Sequence, residues 1–291
     1  MELIMIKPIG LCYSASSILD EIEKYQEKYS KIYILGDILH NEYVINFLSA
    51  RGIKFVKSID SIHNDKFTLV VLPSHGTSPF IYDKLKKYNY IDLTCPKIKK
   101  MHDFIVTNKD NDIIFLGQLN HSETNATKDY KNVTVITNSK DIDKLDELNN
   151  PILMCQTTYN KDEFMKVSSL LKEKYPNIVI NNTLCNIPLD RIININSTDC
   201  DLLIVIGSKT SSNANEIAKS KPNSLIIGKV EEIDLDELKK YSKIAIASAS
   251  STPIQQVNEI VSYIQKNVID DINKFEDSSF EELEKMLKKS K

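Results

Sequence analysis

The chain has 291 residues, 42% of them hydrophobic and 26% charged, with a formal net charge of -3; that balance fits a globular protein with room for about two domains or several small ones. It gives no general attraction to nucleic acid or anionic lipid, and no apolar run approaches the roughly 18 residues that cross a bilayer. The first residues enter a strand-like run at once, so neither signal nor transit peptide is expected, and the cytoplasm is the expected location.

Twelve short β-branched runs bounded by turn residues are predicted as strands: 2–7, 31–35, 53–56, 68–72, 90–93, 112–116, 133–136, 151–154, 177–181, 202–206, 224–227 and 243–247. Helical patterns, for example over 41–50, 78–88, 160–174 and 253–267, alternate with them, which predicts parallel sheets covered by helices. The strand spacing repeats in sets of four, beginning at 31, at 112 and at 202. The third set lacks its fourth strand, and run 2–7 is left over to complete it. The chain therefore reads as three four-stranded α/β units. Unit 1 spans 13–95, unit 2 spans 96–184, and unit 3 spans 185–268 with the N-terminal strand 1–12. Residues 269–291 form a charged C-terminal helix or tail with a capping pattern from Ser279 to Glu282.

The repeat aligns chemistry-bearing residues. The fourth strand of each unit ends in a cysteine: "YIDLTC" in Cys95, "VINNTLC" in Cys185 and "LIMIKPIGLC" in Cys12. The loops after the first strands start with Gly36, Gly117 and Gly207, followed four residues later by His40, His121 and Ser211. Loops after the third strands hold His75, Thr157 and Ser251. Ligands of open parallel sheets bind at the carboxyl ends of strands, where all these residues fall. The two remaining cysteines, Cys155 and Cys200, adjoin apolar runs and are expected in the core. Five scattered cysteines are no secreted disulfide framework.

Three thiols from distant segments suit zinc, an iron–sulfur cluster, or three buried structural positions. Zinc usually takes four protein ligands in local C-x2-C pairs, which are missing here. A cluster on three thiolates leaves one iron open to act on a hydroxyl or deliver electrons to it. Ser211, Ser212 and Asn213 at a helix start, with His40, His75 and Ser251, make a set of neutral donors suited to phosphate or diphosphate. Glu123, beside His121 and Thr157, is the carboxylate placed for proton delivery. Glu42, in the matching slot of unit 1, reads as an ordinary first-turn acid. His63 and His102 read as surface or packing residues.

The ordered set "GLC", "LHNEYV", "SHGTS", "DLTCP", "NHSE", "CQTT", "TLCN…R", "GSKTSSN" and "SSTP" resembles the 4-hydroxy-3-methylbut-2-enyl diphosphate reductases, the IspH (LytB) family, from about residue 4 to 265. The resemblance implies an α/β trefoil of three pseudo-threefold-related, mostly parallel four-stranded units around a central [4Fe-4S] cluster on Cys12, Cys95 and Cys185. It implies diphosphate binding by His40, His75, Ser211, Ser212, Asn213 and Ser251, proton donation by Glu123, and placement of the substrate hydroxyl by Thr157 and His121. It also implies ferredoxin or flavodoxin as electron donor, and a monomer or weak homodimer. The implied reaction is reductive loss of the hydroxyl as water, giving isopentenyl and dimethylallyl diphosphates in the non-mevalonate (MEP) route to isoprenoids. Departures from the family pattern are Ile9 for an arginine, Leu11 for a phenylalanine, Ser14 and Ser16 for a glycine and a basic residue, Gln118 for a histidine, and Ala126 and Ala249 for glycines. Two rival readings are a divergent paralogue that uses the same cluster on another small phosphorylated or unsaturated substrate, and a non-enzymatic cluster-based sensor.

Overall fold

The computed structural model describes residues 1–268, so the expected tail at 269–291 lies outside the described residues. The strands are β1 (Glu2–Met5), β2 (Lys31–Leu35), β3 (Lys54–Val56), β4 (Thr68–Leu72), β5 (Asn89–Asp92), β6 (Ile113–Leu116), β7 (Val133–Ile136), β8 (Ile152–Cys155), β9 (Val179–Ile180), β10 (Leu202–Ile206), β11 (Ser224–Ile227) and β12 (Lys243–Ser248). The helices are α1 (Tyr13–Gln26), α2 (Glu42–Ala50), α3 (Pro79–Leu85), α4 (Pro96–Thr107), α5 (Ser122–Thr127), α6 (Lys161–Lys174), α7 (Asn186–Asn196), α8 (Ser212–Ala218), α9 (Leu235–Leu238) and α10 (Ile254–Val268). Each of the twelve expected strand runs contains a strand. The first stops at Met5, ahead of Pro8, whose ring nitrogen has no proton for a ladder bond.

Three parallel sheets form, ordered β3-β2-β4-β5, β7-β6-β8-β9 and β1-β12-β10-β11. Within each, the second strand of the set flanks the first, then come the third and the fourth. In the last sheet the fourth place is taken by β1, with Glu2 to Met5 paired to Lys243 to Ile246. The architecture is an α/β trefoil.

Alternation of side chains across the central strands gives each sheet two buried faces. On β10 and β12, Leu202, Ile204, Ile206, Ile244 and Ile246 meet Val257, Ile260 and Ile264 of α10. The intervening Leu203, Val205, Ala245 and Ala247 meet Ile195 of α7 and Ala214 and Ile217 of α8. The strands are therefore apolar on both sides, as parallel strands under helices must be.

The helices that follow the cysteines cross between sheets. β1 lies in the third sheet, yet α1 packs Ala15, Ile18 and Ile22 onto Ile32, Ile34, Leu69 and Val71 of the first. β5 lies in the first, yet α4 packs Ile98, Met101 and Ile105 onto Ile113, Phe115, Ile152 and Met154 of the second. β9 lies in the second, and α7 packs onto the third. Each cysteine thus stands at a handover from one sheet to the next, and three handovers in cyclic order enclose a common centre. Cys155 is fully buried, as expected. Cys200 is only half-buried: it lies in the turn before β10 and touches the core from its edge.

Candidate functional site

All twelve residues singled out from the sequence line one cleft: Cys12, His40, His75, Cys95, His121, Glu123, Thr157, Cys185, Ser211, Ser212, Asn213 and Ser251. It encloses about 720 Å³ of empty space, open solvent included, which suits a small anionic ligand beside an inorganic group. Sequence reasoning missed Ser74, Thr158, Ser250, Ile98, Ile187 and Pro188, which complete the walls. Ser74, Thr158 and Ser250 are immediate neighbours of the singled-out residues, and for these that adjacency was the available signal.

Cys12, Cys95 and Cys185 are the N-cap residues of α1, α4 and α7. Cys12 Sγ accepts from the Ala15 backbone N–H at 3.4 Å. Burial pushes the Cys12 and Cys185 thiols up, and backbone N–H groups of the following helices oppose that rise, as does Arg191 at Cys12 and Lys97 at Cys185. The neighbouring thiols add to the rise, Cys95 at Cys12 and both Cys95 and Cys12 at Cys185. Among the described residues, no group of three or more His, Cys, Asp or Glu side chains closes on a single metal ion. A lone zinc needs sulfurs about 2.3 Å from one point. Three free thiols converging on a cleft, each capping a helix N-terminus and with no fourth protein ligand among the described residues, fit a larger multi-iron group with one corner open.

The polar end of the cleft is a histidine cluster. The His40 ring centroid lies 4.1 Å from that of His75 and 5.3 Å from that of His121. His121 caps α5 by accepting the Glu123 N–H at Nδ1, 3.2 Å, so the proton of its neutral ring sits on Nε2. Gly117 makes room for this turn, since a Cβ there would collide with Thr124. Ser211 Oγ caps α8 by accepting the Ala214 N–H at 3.3 Å. His40 Nε2, Asn213 Oδ1 and Ser250 Oγ are buried without hydrogen-bond partners. Buried polar atoms are rarely left unpaired unless a ligand or water completes them. A second recess, shared by His40, His121 and Ser212, adjoins the cleft and contains Gln118 and Lys219.

Glu123 is 2% exposed. Its Oε2 accepts the Thr157 N–H and its Oε1 the Thr157 hydroxyl, both at 2.7 Å. Burial raises its pKa, and these two bonds only partly offset the rise. Burial also lowers His40, His75 and His121, the last to about 4. The expected packing role of His102 is met by its bond to Tyr130 Oη at 2.9 Å, and His63 is exposed. Arg191 is buried, its pKa lowered to about 10 by desolvation, and so stays charged at neutral pH.

The histidine shifts predict a pH dependence. The unfolded chain protonates its imidazoles near pH 6.5, whereas the folded cleft does so only at lower pH. Their contribution to stability is therefore full above about pH 6.5 and is lost as pH falls toward about 4. Denaturant titration of the metal-free protein should give a lower midpoint at pH 5.5 than at pH 7.5, His121 accounting for roughly 1 kcal/mol. His121→Gln should shrink the difference; equal pH responses of the two proteins would contradict the assignment.

A trefoil of three sheets that turns three thiols and a donor-rich pocket into one cleft defines a class, and sequence comparison supplies its family. The LytB protein family model matches residues 3–265, and the chain belongs to that family. It is 32% identical over 279 residues to the apicoplast 4-hydroxy-3-methylbut-2-enyl diphosphate reductase of Plasmodium falciparum, covering 90% of this chain and 52% of that protein, so it spans about half that relative's length. It is 30% identical over 282 residues to 4-hydroxy-3-methylbut-2-enyl diphosphate reductase of Clostridioides difficile, covering 91% of this chain and 99% of the relative. The solved structure of the Plasmodium falciparum reductase superposes with a TM-score of 0.85 at 28% identity, over 100% of this chain and 99% of that one. Among the described residues, no helix is long and apolar enough to cross a membrane.

Proposed function

We propose that the chain reduces 4-hydroxy-3-methylbut-2-enyl diphosphate at a [4Fe-4S] cluster held by Cys12, Cys95 and Cys185, the hydroxyl leaving as water with two electrons and two protons. The observation that carries this reading is one cleft joining three N-cap cysteines to a buried acid and an anion pocket. When bound, the cluster would supply the electrons and an iron without a protein ligand for the substrate's hydroxyl. Everything else falls to the chain's own side chains.

Ser211, Ser212, Asn213 and Ser251 would hold the diphosphate together with His40 and His75. Burial lowers the pKa of both rings, so they bind as hydrogen-bond donors, and the arriving anion favours their protonation. The unpaired Nε2 of His40 supports this assignment. His121, its Nδ1 occupied, offers Nε2–H toward the substrate. Burial raises the pKa of Glu123 and so favours its protonated form, against the two Thr157 hydrogen bonds that lower it. Thr157 Oγ1, 2.7 Å away, both accepts and donates, so it can pass that proton toward the leaving hydroxyl. The apolar Ile98, Ile187 and Pro188 line the cleft beside these polar groups.

The same reading divides the chain into units 13–95, 96–184 and 185–268 with 1–12, makes ferredoxin or flavodoxin the electron donor, and places the protein in the cytoplasm as a monomer or weak homodimer. An anaerobic assay with reduced viologen dye tests it. Substrate should disappear with two dye electrons per molecule and give isopentenyl and dimethylallyl diphosphates. Iron-loaded protein that oxidises no dye in its presence would overturn the reading.

A further inference from the structure

We infer that Arg191 is the counter-charge of the Cys12 corner and its positioning residue, fixing the Cys12 loop while offsetting negative charge brought into the cleft by the thiolate-bound cluster. The inference rests on the cluster reading above. Arg191 stands on α7, six residues beyond Cys185, and is 2% exposed. Its Nη1 donates to the Ser248 carbonyl at 2.6 Å and to Ser248 Oγ at 2.8 Å; its Nη2 donates to the Gly10 carbonyl at 2.8 Å. Ser248 Oγ also accepts the Gly10 N–H at 2.8 Å, and Cys12 N–H donates to the Ser250 carbonyl at 2.9 Å. One guanidinium thereby ties the helix that begins at Cys185 to the loop that presents Cys12. The same fork grips the end of β12, three residues before Ser251.

Each of those acceptors is neutral. Among the described residues no carboxylate pairs with Arg191, its Nε is buried without a partner, and the ionisable group its charge acts on is Cys12. A buried, unopposed cation is costly, and an apolar side chain of similar volume would fill the space without that cost. Neutral thiols leave the charge unexplained. Thiolates around a cluster explain it, because they bring net negative charge to the spot the guanidinium adjoins.

A nearby cation favours the reduced, more negative cluster, so its removal makes reduction harder. The test is a spectroelectrochemical titration of anaerobically loaded wild type, Arg191→Met and Arg191→Lys, with iron counted in each. The midpoint of Arg191→Met should move to more negative potential than wild type at equal iron content, with Arg191→Lys between them. A purely structural fork would change unfolding but leave the midpoint of the loaded protein where it was, and that result would overturn the inference. Should Arg191→Met fail to fold, Arg191→Gln, neutral but still a donor to Ser248, takes its place: a more negative midpoint supports the inference and an unmoved one overturns it. Wild-type protein that takes up no iron would bring down the cluster reading first, and this one with it.

Discussion

Glu123→Gln should lower turnover by about 10²–10⁴-fold, the range supplied by a positioned proton donor, while leaving iron content and diphosphate binding intact. The substitution is gentle in every other respect. A glutamine carbonyl can accept the Thr157 N–H that Glu123 Oε2 now accepts, and its amide can donate to Thr157 Oγ1. Because burial penalises the carboxylate, the neutral amide should be no less stable in that place. What disappears is the transferable proton. Single-turnover kinetics of the pre-reduced protein separate this from weaker binding: Kd for substrate should hold while the rate falls. Unchanged turnover would remove Glu123 from the proton path.

Replacing Cys12, Cys95 or Cys185 by serine should abolish cluster retention and with it activity, while Cys155→Ser should keep its iron. The contrast follows from position rather than residue type. Cys155 is fully buried at the end of β8, its pKa pushed up to about 12 by burial, with Thr183 Oγ1 against its backbone and sulfur. It belongs to the packing. The other three are half-buried helix caps lining the cleft, and serine is itself a favourable N-cap. The metal-free serine variants at those positions should therefore unfold within about 1 kcal/mol of the metal-free parent. Iron analysis of the four variants reads the difference directly. Equal loss at Cys155 and Cys95 would mean that iron retention follows general integrity, not ligation.

The trefoil was legible because short β-branched runs bounded by turn residues are local signals, and the repeat of four strands makes them count three times over. Even the detached β1 could be assigned, since the third set was one strand short. Side-chain partnership across sheets is not local. Nothing in the spacing of Arg191 to Gly10 and Ser248 announces that they meet, nor does the motif "CQTT" announce that Gln156 Nε2 donates to Ser212 Oγ at 3.3 Å. Cys200 was misplaced because an adjacent apolar run says nothing about how deep the turn before it lies. Departures from the family pattern are absorbed variously. The Ala249 methyl is fully buried and sits 3.1 Å from where a Cβ on Gly207 would be, so glycine at 207 leaves the room that alanine at 249 takes. Gln118 lines the adjoining recess rather than the cleft of the three cysteines, and donates its backbone N–H to Gln156 Oε1 at 3.0 Å. Ser16, where a basic residue is expected, is exposed; Ser14 lines the cleft, so its effect should be felt at Cys12.

The central claim is that the three handover cysteines hold an iron–sulfur cluster where the diphosphate substrate also binds. Anaerobically purified wild-type protein, assayed for iron and labile sulfide and then titrated with substrate under an absorption or Mössbauer spectrometer, tests it most directly. The protein should be brown, with about four irons and four sulfides per chain, and its cluster spectrum should change when substrate is added. A colourless protein carrying zinc, or a cluster whose spectrum ignores the substrate at saturation, would contradict it.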